Sequence, residues 1–417
     1  MRLAVLTPHF EPDTAPTGAV VTRLTEELAA RGHRIEVVTS LPWYRDHRVE
    51  PAYRGRLTRI EDTPWGRITR IHPFPTSDKT DIVRRAASFV AFSALAALKG
   101  RADEGLDEGL DAVLAVSPPL TLGIAAGTIA RARDAAFVFN IQDVFPDVVI
   151  ELGYLKNPLL IEAARRLERR CYATADAVTV LSEDLRDNVV RKIGDPSKVR
   201  VIPNFADTDL ITPVDRENAY RERHGLTGRT VVMYAGNIGL SQSLDLMIAA
   251  ASSCVDDDDL VFVLNGAGAA RTRLEETARG LGNVRFVDPQ PVEALPEVLG
   301  AADIHVVPLK RGLSRASVPS KTFSILAAGR PFVASVDPGS EIAAIAERSG
   351  AGIAVPPEDP VAFVDAIKQL RDHPANARAK GAAGRRFIAS WASPAAVAES
   401  YERLFAELRA RARERPA

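Results

Sequence analysis

The chain alternates short β-branched runs with helical patterns almost from end to end, and few folds accept that rhythm. Strands joined through helices run parallel, are buried on both faces, and therefore read as unbroken apolar runs. In the first half these runs are LAVLT (3–7), IEVVTS (35–40), AVLAVS (112–117), AFVFNI (136–141), AVTVLS (177–182) and VRVIPN (199–204). The pattern lapses over polar residues 205–229 and restarts with VVMYAG (231–236), LVFVLNG (260–266), VRFV (284–287), IHVVPL (304–309), FVAS (332–335) and GIAVPP (352–357). At 417 residues the chain also exceeds the size at which a single hydrophobic core stops growing. The expected fold is α/β: two Rossmann-like, doubly wound parallel-sheet domains, residues 1–204 and 205–393, facing across a cleft. A last helical pattern at 394–414 has no strand after it and is expected to pack back on the first domain. Asn157 followed by Pro158 marks a helix start, as N-cap and first helical residue.

Composition narrows the class. A formal charge of -1 gives no reason to expect nucleic-acid binding. Cys171 and Cys254 stand far apart in no metal-ligand pattern and are expected to be buried thiols in a reducing compartment. The N-terminus lacks the long apolar stretch and cleavage site of a signal peptide, and the longest apolar run, 86–98, is too short to span a bilayer. A cytoplasmic location is expected, with no metal and no cofactor.

In open parallel sheets ligands bind beyond the carboxyl ends of the strands, so the loops that follow strands carry the functional information. The first, TPHFEPDTAPTGAV (7–20), holds His9, Glu11, Asp13 and Gly18. Gly18 would open the first helix, where free amides and the helix dipole favour a phosphate, or it simply makes a tight turn. NIQDVFPD (140–147) offers Asp143 and Asp147, which could hold a sugar hydroxyl or steer an acceptor, or in Asp143's case cap its own turn. In the second half, YAGNIG (234–239) and LNGAGAAR (264–271) place Gly236, Asn237, Gly239, Gly266 and Gly268 directly after strands. These turns allow close approach of a diphosphate but lack the full dinucleotide spacing. The loop after 304–309 gathers Lys310, Arg311, Arg315, Ser317, Ser320 and Lys321 ahead of a helix of small residues. A solvated basic loop accounts for Lys310 and Arg311. It accounts less well for Lys321, a cation in the first turn of a helix, where it opposes the dipole.

These loops, in this order, resemble those of the retaining glycosyltransferases of family 4, whose fold is called GT-B. The resemblance spans nearly the whole chain and rests on HFEPDTAPTG (9–18), QDVFPD (142–147), VIPNFAD (201–207), GNIGLSQSLDLMI (236–248), LPEVLGAADIHVVPL (295–309) and VPSKTFSILAAGRP (318–331). It is closest to the bacterial branch that builds cell-surface polysaccharides, including transferases of the N-acetyl-fucosamine and colanic-acid type. The resemblance implies an enzyme that moves a hexosyl or N-acetylhexosaminyl group, with retention, from a nucleoside-diphosphate sugar bound by the second domain. Uridine is the implied base, and the acceptor, a polyprenyl- or otherwise lipid-linked chain or a glycan, is implied for the first domain. It assigns Asp143 and Lys321 to catalysis. To the donor it assigns Gly18, Gly236, Asn237, Gln242, Gly266, Arg315, Ser320, Ser324 and Glu341, and to the acceptor His9, Asp13, Gln142 and Asp147.

Three departures from the family pattern follow. A frequent pair of glutamates falls at Ala316 and Ser324, leaving Glu341 to take over part of that role. The usual Arg and Lys after the first strand of the second domain fall at Asn237 and Gln242, so positive charge is expected at Lys321, aided by Arg315. A frequent histidine is replaced by Gln142. These losses keep open a catalytically degenerate scaffold or binding module, and the fold also admits a sugar-nucleotide epimerase. Finally, segment 81–101 pairs Arg84, Arg85, Lys99 and Arg101 with Phe89, Val90, Phe92, Leu95 and Leu98, and residues 45–70 hold seven arginines against four acidic residues. That composition suits peripheral contact with the inner membrane, or equally a core-packed helix beside a solvated basic loop.

Overall fold

The computed structural model describes residues 1–75, 82–101, 109–151, 155–239, 241–312 and 320–413. They form two compact units, Met1–Asn204 with Val397–Ala417, and Phe205–Ala396.

The sheet of the first unit contains β1 (Arg2–Leu6), β2 (Arg34–Ser40), β3 (Thr58–Thr63), β4 (Gly66–Ile71), β5 (Ala112–Ser117), β6 (Ala136–Ile141), β7 (Ala177–Val180) and β8 (Val199–Val201). Their spatial order is β3-β4-β2-β1-β5-β6-β7-β8. All neighbours pair parallel except β3 with β4. The six expected strands are present, and β3 and β4 are additions: the segment read as a basic loop is a hairpin on the sheet edge. Several of its arginines serve the fold. Arg70 is buried, donates to the Phe10 and Glu11 carbonyls and pairs with Glu61 at 3.0 Å, while Arg67 pairs with Asp62 at 3.2 Å. Asn157 caps its helix as expected, accepting from the amides of Leu159 and Leu160.

The second unit contains β9 (Thr230–Ala235), β10 (Leu260–Asn265), β11 (Val284–Val287), β12 (Ile304–Pro308), β13 (Phe332–Ser335) and β14 (Gly352–Val355), all parallel, in the order β11-β10-β9-β12-β13-β14. Among the parallel strands of each sheet the order reverses direction once, between β1 and β5 and between β9 and β12. The loops leaving those strands diverge to opposite faces and open a crevice at their carboxyl ends. Both cysteines are buried free thiols, and burial raises Cys171 to about 12.

The last helix, Pro394–Arg413, joins the first unit from Val397 onward. His33 and Arg31 reach Glu402, Arg200 reaches Glu407, and Arg409 pairs with Asp111. At its centre the buried Tyr401 hydroxyl meets Asn140 Nδ2 at 3.0 Å and Thr179 Oγ1 at 3.2 Å, fastening the helix to β6 and β7. In the helix Ile82–Arg101, Phe92 and Ala96 are buried while Val90 and Leu98 are exposed, so part of the apolar face read as interfacial belongs to the core. Among the described residues no helix is long and apolar enough to cross a membrane.

Tyr401→Phe removes one buried hydroxyl and leaves the Asn140–Thr179 bond in place. It should lower the first unit's stability by about 1–2 kcal/mol, read as an earlier urea midpoint. An unchanged midpoint would show that the helix is held by its apolar face alone.

Candidate active site

The second unit has a cavity of about 480 Å³ at its switch point, lined by Gly236, Asn237, Gly266, Ala267, Lys321 and Ser324 with an apolar wall that includes Val298 and Leu299. Two glycine turns build its floor. The Gly236 amide donates to Asn265 O, the Gly266 amide to Val287 O and the Ile238 amide to Ala267 O, which lays one turn on the other. Gly236 and Gly266 adopt φ of 139° and 156°. A Cβ on Gly266 would lie 1.9 Å from the Gly236 carbonyl oxygen, and one on Gly268 would lie 2.3 Å from that of Ile238. Only glycine permits this backbone-on-backbone contact.

Lys321 closes the cavity. It sits in the first turn of the helix Ser320–Ala327, and its ammonium would be 3.4 Å from a Cβ on Gly236. Nζ donates to the Tyr234 hydroxyl and lies 4.2 Å from the centre of that ring. The hydroxyl in turn donates to the Asn237 carbonyl. No described carboxylate pairs with the ammonium, and burial lowers its pKa to about 8. The unfolded chain holds this proton up to the ordinary lysine range. Between about pH 8 and that range the unfolded state therefore binds more protons, and Lys321 favours folding increasingly as pH rises. Below about 8 the unit holds an unpaired, desolvated cation at a cost that a bound anion would offset.

Other residues assigned to the donor lie elsewhere. Gln242 does not line the cavity; its Oε1 accepts from the Gly239 amide at 3.1 Å and props the turn. Glu341 is buried at the start of the helix Glu341–Ser349, accepts from Arg348 at 2.8 Å and is not among the lining residues. Its expected takeover of the missing carboxylate is therefore not supported, since its charge is already engaged. Ser324 does line the cavity, one turn after Lys321. Arg315, Ala316 and Ser317 lie outside the described residues, as does the side chain of Ser320.

The first unit has its own cavity, about 420 Å³, between the loops after β1, β2 and β5, lined by His9, Trp43, Tyr44, His47, Phe89 and Phe92 among others. The His9 ring stacks on Trp43 with centroids 5.6 Å apart and meets Tyr44 edge-on at 5.4 Å. Asp13 is buried behind it. One oxygen lies 2.7 Å from His9 Nδ1 and the other accepts from the Tyr44 amide. Asp13 is thus a positioning residue rather than a contact for an acceptor. In neutral His9, donation from Nδ1 to Asp13 leaves the Nε2 lone pair free. Gly18 packs beneath, where a Cβ would stand 3.2 Å from His9 Cβ. Its amide donates to Ala15 O, so it is not the free amide expected for a phosphate.

After β6, Asp143 is exposed at its own surface, yet the protein around it desolvates the carboxyl enough to raise its pKa. Its neighbours do structural work. Gln142 exchanges amide hydrogen bonds with Asn204 and donates to Asn140 at 2.6 Å. Asp147 pairs with Lys192 at 2.8 Å, which also holds the buried Glu168. Both Gln142 amide hydrogens and the Asp147 Oδ2 are thus engaged within the first unit. Sequence reasoning missed Tyr234, and it missed the aromatic group Trp43, Tyr44 and His47. An aromatic pair directly after β2 was the available signal, masked by the run of arginines that follows.

Comparison with known proteins gives the following. Residues 17–204 match the family described as glycosyl transferase 4-like domain, and residues 229–373 match glycosyl transferases group 1. The "Putative colanic acid biosynthesis glycosyl transferase WcaI" of Escherichia coli K12 is 28% identical over 88% of this chain and 92% of its own. Among solved structures, sucrose-phosphate synthase from Thermosynechococcus elongatus superposes with a TM-score of 0.69 at 21% identity, covering 99% of this chain and 100% of its own. Anabaena HepE, solved in complex with UDP, superposes with a TM-score of 0.66 at 12% identity, covering 98% of this chain and 100% of its own.

The glycine floor makes a sharp prediction. Gly266→Ala should destabilise the second unit by about 2–4 kcal/mol. Gly280→Ala, at φ of 90° but in open space, should cost only about 1 kcal/mol. Urea midpoints of the two variants would show this order; equal midpoints would remove the argument from close approach.

Proposed function

The chain belongs to the glycosyltransferases that join a glycosyl transferase 4-like domain to a group 1 domain in the GT-B fold, and on that premise we propose that it transfers a sugar from a UDP-linked donor, with retention, to a lipid-linked or glycan acceptor. The setting is cell-surface polysaccharide synthesis, a reading supported by the likeness to WcaI. The observation that carries the donor assignment is Lys321, a half-buried, desolvated ammonium without a counter-charge among the described residues, standing over the glycine turns. Uridine is supported by the UDP complex of HepE.

In this reading the diphosphate lies against Gly236, Gly266 and Lys321, and Ser324 meets the ribose. The bond between the sugar's anomeric carbon and the diphosphate oxygen breaks, with the electron pair leaving on the diphosphate. The acceptor hydroxyl attacks the same face, and its proton passes to the departing phosphate oxygen. Lys321 stabilises the charge as it develops, and an ammonium already desolvated gains most there. Asp143 holds a hydroxyl of the reacting sugars, and the aromatic cavity around His9 takes the acceptor. A hexosyl or N-acetylhexosaminyl group is transferred, and no metal or cofactor takes part. The enzyme works at the cytoplasmic face of a membrane, which it touches through the exposed Val90 and Leu98 between basic residues.

A thermal-shift panel of UDP, GDP, ADP and dTDP tests the donor site. UDP should raise the melting temperature most, and Lys321→Ala should blunt the rise. No shift from any nucleotide at millimolar concentration would overturn the donor assignment.

The lowered lysine pKa adds a pH dependence. Binding fixes the proton on Lys321, so UDP affinity should fall about tenfold between about pH 7 and pH 9. Calorimetry in buffers of different ionisation enthalpy should show proton uptake. A flat affinity with no uptake would mean that the ammonium does not meet the diphosphate.

A further inference from the structure

A second cavity, of about 680 Å³, lies at the opposite end of the second sheet. It is bordered by Thr230 and Ile304, the first residues of β9 and β12, and by Pro331 just before β13. None of its lining residues is shared with the cavity of Gly236 and Lys321, which opens at the carboxyl ends of the same strands. Among the described residues, six arginines line it against two aspartates.

Half of those arginines are committed to the fold. Arg385 donates to the carbonyls of Thr208, Ile211 and Ala327. Arg216 pairs with Asp303, and Arg371 with Asp257 and Asp372. Asp303 is itself saturated by Arg216, Arg221 and the Val231 amide. Asp215, which accepts from the Glu217 amide, is the remaining acidic group on the wall.

The other three arginines are different. Arg378 and Arg386 are exposed on the cavity-facing side of the helix Pro374–Trp391 and pair with no described carboxylate. Arg330 donates from Nη2 to Val214 O at 2.9 Å, while its Nε is buried with no partner. Burial and the charges of Arg221 and Arg216 work against its protonated form, with Asp303 and Asp215 only partly offsetting them. Two exposed guanidinium groups without a described carboxylate, beside a third whose buried Nε has no partner, make an arrangement that a phosphate satisfies by its charge and by accepting from their planar donors.

We propose that this cavity is a second ligand site of the protein, binding a small phosphate-bearing anion on Arg330, Arg378 and Arg386. It is independent of the donor reading, because it shares no residue with that site. The ligand would rest on residues 213–216, on the turn that ends the helix Ser320–Ala327 and on the helix Pro374–Trp391.

Inorganic pyrophosphate is the probe, measured by thermal shift and calorimetry in low-salt buffer against potassium chloride of equal ionic strength. The Lys321→Ala protein serves as background, so that the donor cavity is already impaired. Pyrophosphate should still raise the melting temperature there, with one site by calorimetry. Adding Arg378→Glu and Arg386→Glu should abolish the rise; both side chains are exposed, so folding is preserved. The same two substitutions in otherwise wild-type protein should leave the UDP shift unchanged. The proposal is overturned if Lys321→Ala alone removes the pyrophosphate response, if that response survives both charge reversals, or if chloride reproduces it. A missing UDP shift would count against the donor assignment and leave this result standing.

Discussion

The second unit depends on a contact between two backbones. The turns leaving β9 and β10 touch at Gly236 and Gly266, closer than any side chain allows. That contact lines the cavity floor with bare backbone rather than side chains. It also brings Tyr234, at the end of β9, under the first turn of the helix that carries Lys321. An ammonium there has a ring face and a hydroxyl for company and, among the described residues, no carboxylate. Such a cation is expensive while the cavity is empty of anions and favourable once a diphosphate enters, a difference that can be used in binding or in catalysis.

The first unit solves a different problem at its own switch point. Asp13 gives both oxygens to local partners and so fixes one nitrogen of His9, leaving the other directed by an aromatic surround. Aromatic faces with a few polar tips suit the apolar face and hydroxyl edge of a sugar ring. The helix closing the chain stabilises this unit from behind through Tyr401, which reaches the strand that delivers Asp143.

Much of this was legible in the sequence because burial on both faces of a parallel sheet leaves unbroken apolar runs. All twelve expected strands are present for that reason. β3 and β4 escaped because TRIEDT and GRITRI, a hairpin at the sheet edge, read as charge, and partners such as Glu61, Asp62 and the Phe10 and Glu11 carbonyls turn those arginines into structure. The same physics separates the site residues. Glycines and Lys321 were readable because each violates a local preference, for φ in one case and for helix polarity in the other. Asp147, Gln142 and Glu341 were not, because a polar residue looks alike in sequence whether it is open or engaged. Its state is decided by partners such as Lys192, Asn204 and Arg348 that local pattern does not reveal.

The departures from the family pattern gain a physical sense from this geometry. The neutral residues Asn237 and Gln242 stand where the resemblance places two cations, and Ala316 and Ser324 where it places two carboxylates. Two positive and two negative charges of the family pattern are thus absent from those four positions together, while Lys321 stands over the glycine turns. A carboxylate left at position 324, one turn from Lys321, would pair with the ammonium and spend it before any ligand arrived. A serine there can still bond a hydroxyl while leaving the ammonium uncompensated. Gln242, relieved of a ligand, instead supports the turn through the Gly239 amide. In the proposed reading, one half-buried cation among the described residues takes on the task that the family pattern spreads over several charges, and the response to pH follows that group.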